Sequence, residues 1–355
     1  MAWIVTTKVI YLMQFLIYIN YVHFMRNKKV VIIVSNYNGA TIRYKGKPIL
    51  FHCLSSLKKT AYENYSVVLA DDKSTDNSAT YVKKIFPKVD VVVNKTNGGF
   101  SKNNNNAIMY AIKRYNPEYV LLLNNDIIIN KREWLTGLIE TISADKKAGI
   151  EGCRLVYPNG RIQHAGLSIG DTVPLLPPYN KLAGVADNER YDRVSYTSGV
   201  TGAAMLISKD VMGSVGLLDE NFYMGHEDVD YCLRATNAGF KIIYNGRVKL
   251  THLEGFTSTH SADPSTRLKI FYYFVRNFVY FRRKYKHRYN INTYLISQVL
   301  LFGYIFFDYS NSSKNSCLGK RVRFRKDCRY FVYFIKGYLS GIRTYKSANM
   351  HLKKS

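Results

Sequence analysis

Acidic side chains are scarce in this chain of 355 residues: 25 Asp and Glu stand against 51 Lys and Arg, a formal charge of +26. The deficit is uneven. From Arg267 onward twenty basic residues are set against Asp308 and Asp327 alone, so about +18 of the +26 falls in the last 89 residues. The pattern implies a near-normal domain followed by a basic segment that meets something anionic: a membrane surface, a phosphorylated acceptor or nucleic acid. Cysteine is sparse too. Cys53, Cys153, Cys232, Cys317 and Cys328 are scattered, odd in number and include no CxxC. They give no support to a disulfide scaffold or a thiolate zinc site and fit a reducing compartment.

Other absences narrow the field further. There is no GxxxxGK[ST] and no GxGxxG after the first strand-like run, so P-loop and dinucleotide-binding readings lose their main support. No zinc finger, RNA-recognition signature or helix-turn-helix pattern accompanies the basic tail. No internal repeat is present. The long uncharged runs are also imperfect. Residues 9–25 number seventeen and are diluted by Gln14, Asn20 and His23, while residues 289–307 number nineteen and contain Asn292, Ser297, Gln298 and Gly303. A comfortable bilayer span takes about 20 apolar residues. Both runs therefore read as membrane-associated or packing helices, and no small-residue cleavage site follows the first.

What is present alternates strand and helix. KVVIIV is aliphatic and β-branched with no polar alternation, the pattern of a strand buried on both faces. Helical spacing from Pro48 to Thr60, the strand-like SVVLA, a helix from Ala79 to Phe86, VDVVV, a helix from Ala107 to Arg114 and YVLLLNND follow in turn. This is an α/β chain with an open, mostly parallel sheet flanked by helices. Ligands of such sheets sit at the C-terminal strand ends, here Ser35 to Asn38, Asp71 to Asp76, Asn97 to Lys102 and Asn124 to Asp126. A second block from Gly149 adds short strands and a helix around Asp228 to Ala238. Beyond Pro264, Phe271, Phe274, Val275, Phe278 and Phe281 recur at helical spacing among Arg and Lys, an aromatic, basic helix suited to a lipid surface.

The candidate chemistry rests on carboxylates. Asp126 closes a buried strand beside Asn124 and Asn125, where it either caps a turn or holds a hard divalent cation. Asp71, Asp72 and Asp76 form a turn whose first carboxylate has two readings, an Asx cap or an acceptor for a base or ribose. Glu227, Asp228 and Asp230 crowd a helix start, which suits the helix dipole and also raises proton affinity as a general base requires. His252, at the end of a strand-like run, is either a structural imidazole or a further metal ligand.

Taken in order, VVIIVSNYNG, VVLADDKSTDNS, NKTNGGFSKNNNNAI, VLLLNND, YPNGRIQHAG, the segment TGAAMLISKDVMGSVGLLDENFYMGHEDVDYCLRATNAGFKI and VKLTHLEG resemble the family 2 glycosyltransferases. These are inverting enzymes of GT-A type, and the likeness is to their rhamnosyltransferase-like branch. It covers about residues 29–260. The resemblance implies Tyr37 and Asp71 at the nucleoside and Asn124-Asn125-Asp126 in the place of Asp-x-Asp, with Asp126 on Mg²⁺ or Mn²⁺. It further implies Gly99, Phe100, Lys102, Asn104 and Asn105 as a loop beside the nucleotide, with Lys102 at a phosphate. Glu227-Asp228 matches the family's Glu-Asp pair, whose Asp is the usual catalytic base, and His252 is similar in placement to a His that completes the metal shell in some relatives. Small residues at Gly202 and Ala203 leave room for sugar or acceptor.

The implied organisation is a hydrophobic segment at 1–28, a GT-A domain at 29–262 and a basic, aromatic membrane-associating region at 263–355. The expected partners are a nucleotide-diphosphate sugar donor, a glycan or lipid-linked acceptor and an anionic membrane surface, with no nucleic acid and with the catalytic domain cytoplasmic. A nucleotidyltransferase is the enzymatic alternative, but SNYNGATIRYKG offers no glycine-rich first loop. Two others are a nucleic-acid-binding protein and a catalytically inactive sugar-nucleotide-binding relative, the latter because Asn124 weakens the acidic motif.

Overall fold

The computed structural model describes residues 27–169, 179–253, 264–286 and 329–352. Ten strands form one sheet: β1 (Val30–Asn36), β2 (Tyr65–Asp71), β3 (Asp90–Val93), β4 (Tyr119–Asn124), β5 (Ile127–Ile129), β6 (Ala148–Val156), β7 (Ile162–His164), β8 (Val194–Tyr196), β9 (Ala204–Ser208) and β10 (Lys241–His252). The order across it is β8-β10-β6-β9-β4-β1-β2-β3, with β5 on β10 and β7 on β6. Strands β4, β1, β2 and β3 run parallel, as do β6 and β10; β9 is antiparallel to both β4 and β6. The sheet is therefore mixed, with its parallel block where the aliphatic runs predicted it.

Helices α1 (Ile49–Leu57), α2 (Ser78–Ile85), α3 (Gly99–Tyr115), α4 (Trp134–Ser143), α5 (Lys209–Val215) and α6 (Glu227–Asn237) cover both faces. Strand β1 shows why its sequence has no polar alternation. Val30, Ile32 and Val34 pack with Leu50, Leu54, Leu135 and Leu138 on one side, and Val31 and Ile33 pack with Ala107, Ile108 and Tyr231 on the other. Burying a side chain of this size stabilises the fold by about 1.5–3 kcal/mol, so this five-residue run specifies a central strand by itself.

A bulge in β10 carries the chain to the site. The register with β6 slips between Asn245 and Lys249, at Gly246, whose missing Cβ would stand 2.1 Å from the Tyr191 carbonyl. The strand then continues until His252 lies opposite Ile127. Without that offset, His252 would not end beside Asp126.

Two helices extend the domain, α7 (Pro264–Lys284) and α8 (Arg329–Leu352). Here the structure corrects the expectation of a lipid-facing aromatic helix. Phe271, Val275, Phe278 and Val279 of α7 are buried with Phe334 of α8, and Phe281 is buried against Phe222. The two helices cross closely because Gly337 and Gly341 stand over α7; a Cβ on them would meet the carbonyls of Tyr272 and Arg276 at 2.8 and 2.6 Å. Among the described residues no helix is long and apolar enough to cross a membrane. The uncharged runs at 9–25 and 289–307 lie outside the described residues.

Candidate active site

The C-terminal rim of β1, β2 and β4 gathers the polar residues expected there. Asn36 pairs in register with Asp71, and Ser35 with Asn124. The Asn36 amide donates to Asp71 Oδ2 at 2.8 Å, and its oxygen accepts from Asn125 Nδ2 at 2.7 Å. Gly39 makes that pairing possible, since a Cβ there would lie 2.4 Å from Asn36 Oδ1 and 2.6 Å from Asn125 Nδ2. Asp71 Oδ1 accepts the Ser74 amide. Asp76 makes the turn its plainer reading had, Oδ1 accepting the Ser78 amide, and its Oδ2 also accepts from the amides of Ala40 and Thr41 in the loop after β1.

Asp72 does work that the sequence did not single out. Its carboxylate accepts Asn94 Nδ2 at 2.9 Å and the amides of Gly98 and Gly99 at 2.8 Å each. It thereby fixes the start of α3. Gly99, at φ +81°, lies so close to Tyr223 that a Cβ would stand 2.2 Å from the Tyr223 carbonyl, to which Phe100 N donates at 2.7 Å. The loop expected beside the nucleotide is thus the first two turns of a helix.

This arrangement divides the predicted nucleotide residues into two sets. Tyr37 and Lys102 are exposed at the mouth, and Asn124 is half-buried. Asp71, Asn104, Asn105 and Asn125 are buried and hydrogen-bonded to protein. Asn104 accepts from Ser35 Oγ and donates to the Phe100 carbonyl. Asn105 exchanges hydrogen bonds with Leu218 N and O and reaches Glu220. Their hydrogen-bonding groups face protein.

Asp126 and His252 meet as predicted. His252 Nε2 lies 3.0 Å from Asp126 Oδ1, and both side chains are buried. On the far side of the ring, Nδ1 is 2.7 Å from Gln163 Oε1. With the Gln163 oxygen accepting, Nδ1 carries a proton and Nε2 faces the carboxylate. A proton on Nε2 or a cation joins the two, and a nitrogen–oxygen pair with an orienting partner suits a divalent metal ion. Among the described residues no third His, Cys, Asp or Glu joins them. Any further ligands would come from phosphate and water, as hard divalent ions accept.

The second carboxylate centre opens α6. Asp228 is half-buried; its Oδ2 accepts Gly202 N at 3.0 Å and its Oδ1 accepts Val229 N at 2.8 Å. Burial raises its pKa above the ordinary aspartate value, opposed by those amides. Glu227 is buried, its Oε2 has no hydrogen-bond partner, and burial followed by the neighbouring Asp228 charge pushes its pKa up. Asp228 is the reachable member of the expected catalytic pair, and Glu227 is not. Gly202 fits between the Phe100 ring and Asp228, so the small residue expected there serves the carboxylate's own seat.

His164 is a residue the sequence quoted without assigning. Its Nδ1 is 2.6 Å from Asn180 Oδ1, and its Nε2 accepts from Gly166 N at 3.3 Å and Thr201 N at 3.4 Å. Burial pushes its pKa down to about 4, with His252 adding to the shift. A neutral imidazole thus holds the Thr201-Gly202 turn that in turn holds Asp228.

An open α/β sheet with its polar rim at the ends of parallel strands and two separate acidic centres defines a GT-A type domain. Residues 31–186 match Glycosyl transferase family 2. The chain is similar to the O-antigen biosynthesis protein RfbC of Myxococcus xanthus, 26% identical over 230 residues, 63% of this chain and 18% of that protein. It is also 26% identical over 248 residues to an N-acetylglucosaminyl-diphospho-decaprenol L-rhamnosyltransferase of Mycobacterium tuberculosis, covering 64% of this chain and 78% of that one. Thus the chain spans under a fifth of the first relative and most of the second. Among solved structures, the mannosyltransferase PcManGT of Pyrobaculum calidifontis, in complex with GDP-Man and Mn²⁺, shares the fold at a TM-score of 0.50 and 13% identity, over 90% of this chain and 87% of that one.

Proposed function

We propose that this chain is an inverting glycosyltransferase that moves a sugar from a nucleotide-diphosphate sugar to a hydroxyl of a glycan or lipid-linked glycan. The observation that carries the reading is the separation of two carboxylates: Asp126, buried against His252, and Asp228, half-open on amides at a helix start. Proton removal and leaving-group stabilisation are different tasks, and two differently housed carboxylates suit them. The names of the Mycobacterium tuberculosis and Myxococcus xanthus relatives support a deoxyhexose donor and a surface-glycan or polyprenyl-linked acceptor.

Asp228 accepts the proton of the acceptor hydroxyl as that oxygen attacks the anomeric carbon from the face opposite the diphosphate. The C1–oxygen bond to the leaving phosphate breaks, and the electron pair departs with the nucleoside diphosphate. Tyr37 and Lys102 are the exposed groups for the nucleoside and a phosphate, with Asn124 beside them. Asp126 and His252 would hold Mg²⁺ or Mn²⁺, whose positive charge offsets that of the diphosphate. The test is a donor panel. UDP-, dTDP- and GDP-sugars are offered with Mg²⁺ or Mn²⁺, and one of them is expected to raise the melting temperature and release its nucleoside diphosphate when acceptor is added. Absence of protection by every donor would remove the reading.

The partner at the tail is an anionic bilayer, met at the cytoplasmic side. With α7 turned inward, the outer face of α8 is the face among the described residues that suits it. Phe331, Val332, Ile335 and Leu339 are each 41–51% exposed along one face, and Arg329, Lys336, Arg343 and Lys346 share the helix with no acidic residue. Such a face lies in the headgroup region, where each basic residue contributes about 1 kcal/mol. Full-length protein should float with anionic vesicles and not with neutral ones. Phe331→Ser with Ile335→Ser and Leu339→Ser should lower the floated fraction several-fold, whereas unchanged flotation would exclude this face.

A further inference from the structure

The turn that presents Asp228 is held from outside the family match. Gly225 and His226 are consecutive residues at φ +88° and +73°, in the left-handed region, immediately before α6. A non-glycine residue in that region needs surroundings that impose it, and His226 opens α6 with no side-chain cap hydrogen bond. The surroundings are supplied by one helix, α7. Asn277, fully buried, donates both amide hydrogens to this turn, to the Met224 carbonyl at 2.8 Å and the Gly225 carbonyl at 2.9 Å. Its own oxygen accepts from Arg276 at 2.6 Å, and Arg276 also donates to the Asn221 carbonyl at 2.7 Å. The His226 ring lies among Phe274, Phe278 and Phe281, with centroids 5.9, 5.8 and 5.7 Å away. At the two ends of the segment, Asp219 takes Tyr280 and Lys284, and Asp230 takes Lys284 and Tyr285.

We infer that Asn277 is a positioning residue for Asp228, and that α7 is a working part of the active site as well as an appendage to it. The inference rests on the reading of Asp228 as the base. Each amide hydrogen of Asn277 satisfies a carbonyl of the turn immediately before α6. With those hydrogens removed, the Met224 and Gly225 carbonyls turn toward water, and the carboxylate three to four residues on moves with them. The donor-side loop meets the same segment at Tyr223, Phe100 N to its carbonyl and its hydroxyl to Asn97, but Tyr223 has its own hold on α7, a ring stack on Tyr273 at 4.3 Å that Asn277 does not supply. Donor binding and base placement are therefore separable. A chain ending before Pro264 would lose the support of its base along with α8.

The test uses the full chain with Asn277→Ala and Asn277→Asp, the latter placing a carboxylate against two carbonyl oxygens. Tyr272→Phe is the control, because it removes the Tyr272–Ser340 hydrogen bond between α7 and α8 without touching the turn. Both Asn277 variants should lower kcat by about 10- to 100-fold, the scale of a misplaced catalytic group. KM for donor should stay within about twofold. The acid limb of the pH profile should move toward the ordinary aspartate range as the Asp228 site opens to water. Amide hydrogen exchange should rise in residues 219–230 and stay unchanged in β1 and β4, while Tyr272→Phe behaves as wild type. Wild-type kcat and pH profile in Asn277→Ala would overturn the inference, as would exchange that rises throughout the domain or not at all. Should the unaltered chain transfer no sugar, the functional reading fails on its own, and unchanged exchange at 219–230 would still overturn the clamp.

Discussion

Asp228→Asn is expected to keep donor-dependent thermal protection and to lose transfer by roughly 10²-fold or more, the scale of losing a general base. The substitution preserves size and leaves an amide oxygen to accept from Gly202 or Val229, so the seat of the side chain survives while its ability to take a proton does not. Because burial raises the Asp228 pKa, the unaltered protein should lose activity on acidification at a higher pH than an ordinary aspartate would dictate. Wild-type turnover in Asp228→Asn would remove this residue from the chemistry. Asp230→Asn makes the informative comparison. Asp230 is fully buried and receives Arg234, Lys284 and Tyr285. Removing its charge takes away the buried anion that Arg234 and Lys284 share, although Lys284 keeps Asp219 and Arg234 keeps the Val215 and Leu217 carbonyls. That variant should melt early and retain more of its turnover per folded molecule.

The other large effect belongs to Asp126. Asp126→Ala should weaken donor binding and abolish its response to Mn²⁺ or Mg²⁺, because the carboxylate facing His252 Nε2 is the charged half of that pair. His252→Ala should act in the same direction and less strongly, since a neutral ligand contributes less to holding a dication. Donor titration with and without Mn²⁺ is the check, and the same metal response in Asp126→Ala as in wild type would end the assignment.

The parts of this site that sequence made legible are those whose chemistry is local. Val30 to Val34 announce a central strand because every side chain is apolar, and Asp126, Asp228 and His252 stand in motifs that carry their own type and spacing. The start of α3 was not legible. Asn103, Asn104, Asn105 and Asn106 are poor interior helix residues, which pushed the expected helix to Ala107. Tertiary bonds decide otherwise: Asp72 caps Gly98 and Gly99, and Asn103 donates to the Ala70 carbonyl. Gln163 and Asn277 were invisible for a related reason. Gln163 acts on His252, 89 residues away, and Asn277 on Met224, 53 residues away, and neither lies in a pattern that reveals such a partner. The aromatic, basic pattern of α7 is legible in the sequence and its destination is not, because Phe271 and Phe278 suit lipid and a neighbouring helix equally well on periodicity alone.

The measurement that bears most directly on the division of labour between the two carboxylates is a parallel determination of donor affinity and single-turnover transfer, with and without Mn²⁺, for wild type, Asp228→Asn and Asp126→Ala. Asp228→Asn should bind donor with wild-type affinity and metal response and transfer almost nothing. Asp126→Ala should bind weakly and without regard to metal. If both variants lost binding and transfer in the same proportion, or if Asp228→Asn lost the metal response while Asp126→Ala kept it, the proposed separation of proton removal from diphosphate holding would be contradicted.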